Sequence, residues 1–154
     1  MSSRTSSTVI RAPEAGDFDQ WSELWSGYLG FYETALSADI HQTLFSRLLS
    51  DDPRCFRGFV AECDGQIVGL VHYVFHPHAW RVEEVCYLQD LYVDGAQRGT
   101  GLGRALIERV YAAADAAGNP RVYWLTQDTN AQARALYDRV GQLTPFIRYN
   151  RPAP

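Results

Sequence analysis

The sequence predicts an α/β (α+β) fold with a mixed, largely antiparallel central sheet flanked by helices. Three observations carry this. Apolar residues switch between helical and strand-like spacing in the order β-α-α-β-β-β-α-β-α-β. Asp64-Gly65 sits between two β-prone runs as a two-residue hairpin signal. A glycine-rich run then joins a strand to a helix past mid-chain. With 154 residues, 46% hydrophobic and 21% charged, the chain has material for one core and little for a second. Residues 1–8 are expected to be a flexible leader and 9–151 a single domain.

In order, Val9 and Ile10 begin a short strand closed by Pro13. Asp17, with Gln20 three residues on, has the pattern of a capping box that starts a helix. The stripe Phe18, Trp21, Leu24, Trp25, Tyr28, Leu29 and Tyr32 follows helical spacing. A second helix is predicted from the cap Ser37, with Ile40, Leu44, Phe45, Leu48 and Leu49 inward, ending at Ser50-Asp51-Asp52-Pro53. Phe56–Cys63 and Gln66–Phe75 form the hairpin, and Val82–Val93 gives a central strand. Leu102, Ala105, Leu106, Val110, Ala113 and Ala117 repeat helically up to Gly118-Asn119-Pro120. Val122–Thr126 is the next strand, Asn130 caps a helix that Gly141 ends, and Phe146–Tyr149 is expected to be a last strand.

Charge and cysteines exclude several function classes. Fourteen basic and eighteen acidic residues give a formal charge of −4, which disfavours broad binding to nucleic acid or anionic membranes. No stretch reaches the ~18 apolar residues of a membrane span. Cys55, Cys63 and Cys86 are scattered without metal-ligand spacing, so they read as small hydrophobes in a reducing, cytoplasmic setting. His76-Pro77-His78 lacks a third ligand nearby, so no metal is expected.

The chemistry concentrates in Gln97-Arg98-Gly99-Thr100-Gly101-Leu102-Gly103-Arg104. Alternating glycines let a ligand approach the backbone, the first helical turn leaves N–H groups unpaired, and two arginines add positive charge. That combination suits an anion. A Walker motif needs GxxxxGK[ST], which is absent, and the order GxGxG after a late strand disfavours a dinucleotide-binding GxGxxG site.

Arg98-x-x-Gly101-x-Gly103 resembles the pyrophosphate-binding signature of the GNAT N-acetyltransferase family, which binds acetyl-coenzyme A. Leu88-Gln89-Asp90-Leu91-Tyr92-Val93 is similar to the strand before that loop, and Asn130-x-x-Ala133-x-x-x-Tyr137 with Gly141 to the family's later helix. The resemblance implies that backbone N–H groups of Gly99, Thr100, Gly101, Leu102, Gly103 and Arg104 hold the pyrophosphate. It also implies that main-chain groups of Leu91, Tyr92 and Val93 pair with pantetheine like an extra strand, and that Asn130, Ala133 and Tyr137 lie along the same cofactor. A homodimer is the assembly it implies.

Acetyl transfer to an amine needs a neutral nucleophile, an oxyanion donor and an acid for the thiolate. Tyr137 suits the acid, and a backbone N–H near Leu91 or Val93 the oxyanion. Related polyamine acetyltransferases carry Glu-Asp where this chain has Gln89-Asp90, and glutamine cannot serve as a base. Asp90 is therefore the first candidate, with Glu83 or Glu84 acting through water, or an amine arriving neutral, as alternatives. Tyr28, Tyr32, Glu33 and Gln89 are candidates for the acceptor pocket. The expected function is acetyl-CoA-dependent acetylation of a small-molecule primary amine, such as a polyamine, by direct transfer. The alternatives are a non-catalytic acyl-CoA-binding module and an enzyme acting on a protein lysine or N-terminus.

Overall fold

The computed structural model describes residues 7–154, so most of the expected leader lies outside the described residues. Strand β1 (Thr8–Arg11) is followed by a 3-10 turn, helices α1 (Phe18–Phe31) and α2 (Ala38–Leu48), and strands β2 (Arg57–Cys63), β3 (Gln66–His76) and β4 (Val85–Val93). Helix α3 (Leu102–Ala116), strand β5 (Val122–Tyr123) and helix α4 (Ala131–Val140) complete it. The sheet runs β1-β2-β3-β4-β5, antiparallel throughout except for the parallel β4·β5 pair. At the hairpin tip Asp64 and Gly65 have φ of 51° and 80°, the two left-handed positions that a primed turn requires, and Cys63 pairs with Gln66.

Strand alternation gives the sheet two apolar faces. Val60, Ile67 and Leu70 pack with Trp21, Trp25 and Leu29 of α1 and Phe45 and Leu48 of α2. Phe59, Ala61, Val71, Tyr73, Cys86 and Leu88 pack on the other face against Leu102, Leu106, Ile107 and Val110 of α3. Helix α1 is tied down because the Gln20 side-chain oxygen accepts a 2.8 Å bond from Ile67 N–H. Gln20 is thus not part of a capping box. Its expected partner Asp17 instead accepts from Glu14 N–H and binds Arg11 through both oxygens, at 2.7 and 3.0 Å.

Other expectations are corrected by packing. Ile40 and Leu49 are 44% and 42% exposed, since the face of α2 that turns inward carries His41, Phe45 and Leu48. Strand β5 stops at Tyr123 instead of Thr126, and Phe146–Tyr149 forms no strand. With β5 only two residues long, that segment has no ladder to join, and Phe146 and Tyr149 are 80% and 88% exposed.

Candidate active site

The site is set by an irregularity in β4. His72 pairs with Asp90 while the next β3 residue, Tyr73, pairs with Leu88, leaving Gln89 as an extra residue in β4. Residues two apart normally share a face of a sheet, but this bulge reverses the parity. Leu88 therefore joins the core under α3, whereas Asp90 turns to the α1/α2 side together with Tyr92.

There Asp90, buried, meets His72, also buried: Asp90 Oδ2 lies 2.8 Å from His72 Nδ1. On its other side His72 Nε2 accepts a 2.9 Å bond from the indole N–H of Trp21, which has no exposed surface. The Tyr28 phenol of α1 stands beside Asp90, and burial first, then the carboxylate's charge, pushes its pKa well above the usual tyrosine range.

A cavity of about 410 Å³ opens between α2 and β4, lined among others by Trp25, Asp39, Arg47, His72, Gln89 and Asp90. This size suits a small molecule. A second depression of about 520 Å³ lies along α2, near Gln42, Ser46 and Cys55, and includes neither Asp90 nor His72.

The glycine loop stands at the end of β4. Gly99 and Gly101 have φ of 80° and 83°, and Gly101 immediately precedes α3. Among the described residues no protein group accepts from the backbone N–H groups between Gly99 and Arg104; the first such bond runs from Ala105 to Gly101. This cradle fits a pyrophosphate. Arg98 lies over the Tyr92 ring at 5.9 Å, whereas the Arg104 side chain is turned to Glu108 at 2.9 Å and contributes to the loop through its backbone alone. Thr100 is held by its hydroxyl donating to the Gln97 carbonyl at 2.6 Å.

Strand β5 pairs with β4 at Cys86 and Tyr87, so among the described residues the edge of β4 from Leu88 to Val93 has no strand beside it on that side. An extended pantetheine arm fits such an edge as an added strand. Beyond the gap, Asn130 Oδ1 caps α4 by accepting from Ala133 N–H at 3.3 Å. Tyr137 packs against Trp124 with ring centroids 5.5 Å apart, and burial first, then nearby Tyr32, raises its phenol's pKa. Gly103 closes the floor of the loop, since a Cβ there would come within 3.3 Å of Leu136 on α4.

Residues 18–142 match the model of the Acetyltransferase (GNAT) family. The chain belongs to that family. This GNAT protein is an N-acetyltransferase that uses acetyl-CoA. It is similar to the D-amino-acid N-acetyltransferase HPA3 of Saccharomyces cerevisiae, 38% identical over 144 residues, covering 93% of this chain and 89% of that one. Among solved structures it resembles the aminoglycoside N-acetyltransferase AAC(6')-Iy in complex with CoA (TM-score 0.83, 18% identity, 99% of this chain and 100% of that chain). It also resembles a ribosomal-protein-alanine N-acetyltransferase from Brucella melitensis biovar Abortus 2308 (TM-score 0.75, 18% identity, 96% and 100%).

Of the candidate acceptor residues in this GNAT enzyme, Gln89 lines the cavity and Tyr28 stands at Asp90. Tyr32 links Tyr28, 5.2 Å away between centroids, to the Tyr137 side. Glu33 is exposed, with φ of 56°, in the turn after α1 and does not line the cavity. Glu83 and Glu84 precede β4 and stand roughly 20 Å along the strand from Asp90, from a rise of about 3.3 Å per residue. Sequence reasoning placed Trp21 only in the apolar stripe of the first helix, gave His72 no part in the site and did not reach Arg47. The available signal was a lone histidine inside the apolar run Ile67–Phe75.

Proposed function

We propose that this GNAT enzyme acetylates the primary amine of a small molecule by direct transfer, and that the acceptor is an amino acid. The observation that carries the second part is the mixed charge of the cavity, which has Asp39 and Asp90 as acids and Arg47 as a base. A zwitterion satisfies both signs, with its ammonium at Asp90 and its carboxylate at Arg47. A polyamine would leave Arg47 facing a second cation. The similarity to a D-amino-acid N-acetyltransferase supports the same reading and puts D-enantiomers first.

The residues divide the work accordingly. Acetyl-CoA, when bound, supplies the acetyl thioester. The loop from Gly99 to Arg104 binds through its N–H groups, and Leu91 and Val93 offer main-chain donors and acceptors along the open edge of β4. Asp90 takes the proton that the acceptor's ammonium must lose. Tyr137 keeps its proton on Oη, because burial raises its pKa, and can donate it to a departing thiolate. Cys86 is buried with its thiol pushed up to about 12, so it offers no acyl-enzyme route.

The test is free-thiol release from acetyl-CoA with D- and L-amino acids, their amides, polyamines, aminoglycosides and peptides. Turnover highest with free amino acids is expected. Equal or better turnover with amino-acid amides or polyamines overturns the acceptor assignment, and no turnover with any amine overturns the catalytic one.

A further inference from the structure

We propose that His72 is a positioning residue for Asp90, locked by Trp21 into a single tautomer. This rests on the reading of Asp90 as the group that receives the acceptor's amine. An indole N–H can only donate, so the 2.9 Å contact requires a bare lone pair on His72 Nε2. A neutral imidazole carries one proton, and it must then sit on Nδ1. The 2.8 Å contact is consequently a hydrogen bond donated by Nδ1–H to Asp90 Oδ2. Protonation of Nε2 would set two donors against each other.

Two consequences follow for the chemistry. The proton that Asp90 collects cannot pass on through His72, because Nδ1 is already occupied and Nε2 faces the indole, so the chain Trp21–His72–Asp90 ends at the carboxylate rather than relaying protons. Oδ2 is held from behind, which aims the carboxylate at the cavity that Asp90 lines. The lock is rigid. Trp21 is stacked on Trp25 at 5.3 Å between centroids and packed against Phe45 at 5.0 Å. The polar groups around the pair are Tyr28 on α1, His41, Asp39 and Arg47 on α2, and Gln89 and Tyr87 on β4. Of these His41 is engaged elsewhere, with its Nδ1 at 2.7 Å from Ser22 Oγ.

The experiment combines nitrogen-15 NMR of the histidine rings with four substitutions in the full chain. The His72 signals, assigned by their loss in His72→Asn, are expected to show protonated Nδ1 and bare Nε2; in Trp21→Phe, where the indole donor is gone but Asp90 still accepts from Nδ1, the Nε2 signal alone should shift. Protonated Nε2 in the unmutated protein overturns the lock. For catalysis, His72→Phe fills the site but donates nothing, and kcat should fall roughly ten- to a hundredfold, as for loss of a hydrogen bond to a charged group. In His72→Asn the amide nitrogen takes the place of Nδ1, and kcat should recover to within about threefold of the original. Both variants orphan the Trp21 N–H equally, so a purely structural role predicts equal losses per folded molecule, and that result overturns the positioning role. If Asp90→Asn retains full kcat, the reading of Asp90 fails and the positioning role with it, while the NMR result still reports the tautomer on its own.

Discussion

Gly101 and Gly118 make a matched pair for testing the anion cradle. Both have left-handed backbone, with φ of 83° and 75°, and neither would bring a Cβ within 4 Å of another group. Alanine at either position therefore meets the same penalty, about 1–2 kcal/mol for an L-residue in that region. At roughly 2–4 °C per kcal/mol for a chain of this size, each variant should melt about 2–8 °C lower. Only Gly101 borders the unpaired N–H groups before α3; Gly118 lies at the opposite end of that helix. A methyl group where a pyrophosphate must approach removes at least one hydrogen bond to a charged oxygen, about 1.5–3 kcal/mol, or roughly ten- to a hundredfold in CoA affinity. Thermal melts and calorimetric CoA titrations on Gly101→Ala and Gly118→Ala give both numbers. Equal, unchanged CoA affinity in two folded variants would refute the cradle, because the positive φ at Gly101 would then serve the turn alone.

Three other outcomes are expected. Tyr137→Phe should keep its melting temperature within about 2 °C, since the hydroxyl makes no protein hydrogen bond among the described residues, while kcat falls about a hundredfold or more and CoA affinity holds; unchanged kcat removes the acid role. Arg47→Met should raise KM for free amino acids roughly tenfold or more without raising it for the amides, and a parallel rise for both would show that Arg47 only shapes the cavity. Asp17 is bound by Arg11 through both oxygens, and this bond first, with the Glu14 N–H, holds its carboxyl below the ordinary value of 3.8. The resulting stability is fully present above that value and is lost as pH falls through the lower folded value. Acid titration of Asp17→Asn should show a flatter decline over that window, and an identical acid limb would contradict the assignment.

The parts of this molecule that local chemistry decides were readable in the sequence. Asp64-Gly65 specifies its turn because both residues tolerate positive φ, and the glycine loop is recognisable because strand, glycines and helix follow one another directly. The orientation of Asp90 was not readable. It depends on one unpaired residue, Gln89, and nothing in the run Leu88–Val93 marks where the ladder skips. The partnership of Trp21 and His72 joins residues 51 apart, and each alone looks like core. Phe146–Tyr149 has the composition of a strand, but composition cannot supply the neighbour that a strand needs.

The doubled role of β4 has a consequence for how such enzymes diversify. Its open edge and the following loop lie on one side of the strand, the side proposed for the cofactor, while its bulged face, with α1 and α2, borders the cavity proposed for the acceptor. These two surfaces share a backbone but few side chains. On that reading, substitutions at Asp39, Arg47 or Gln89 retune the cavity without disturbing the loop before α3, so the α2 side of the sheet serves as an exchangeable fitting on a constant frame.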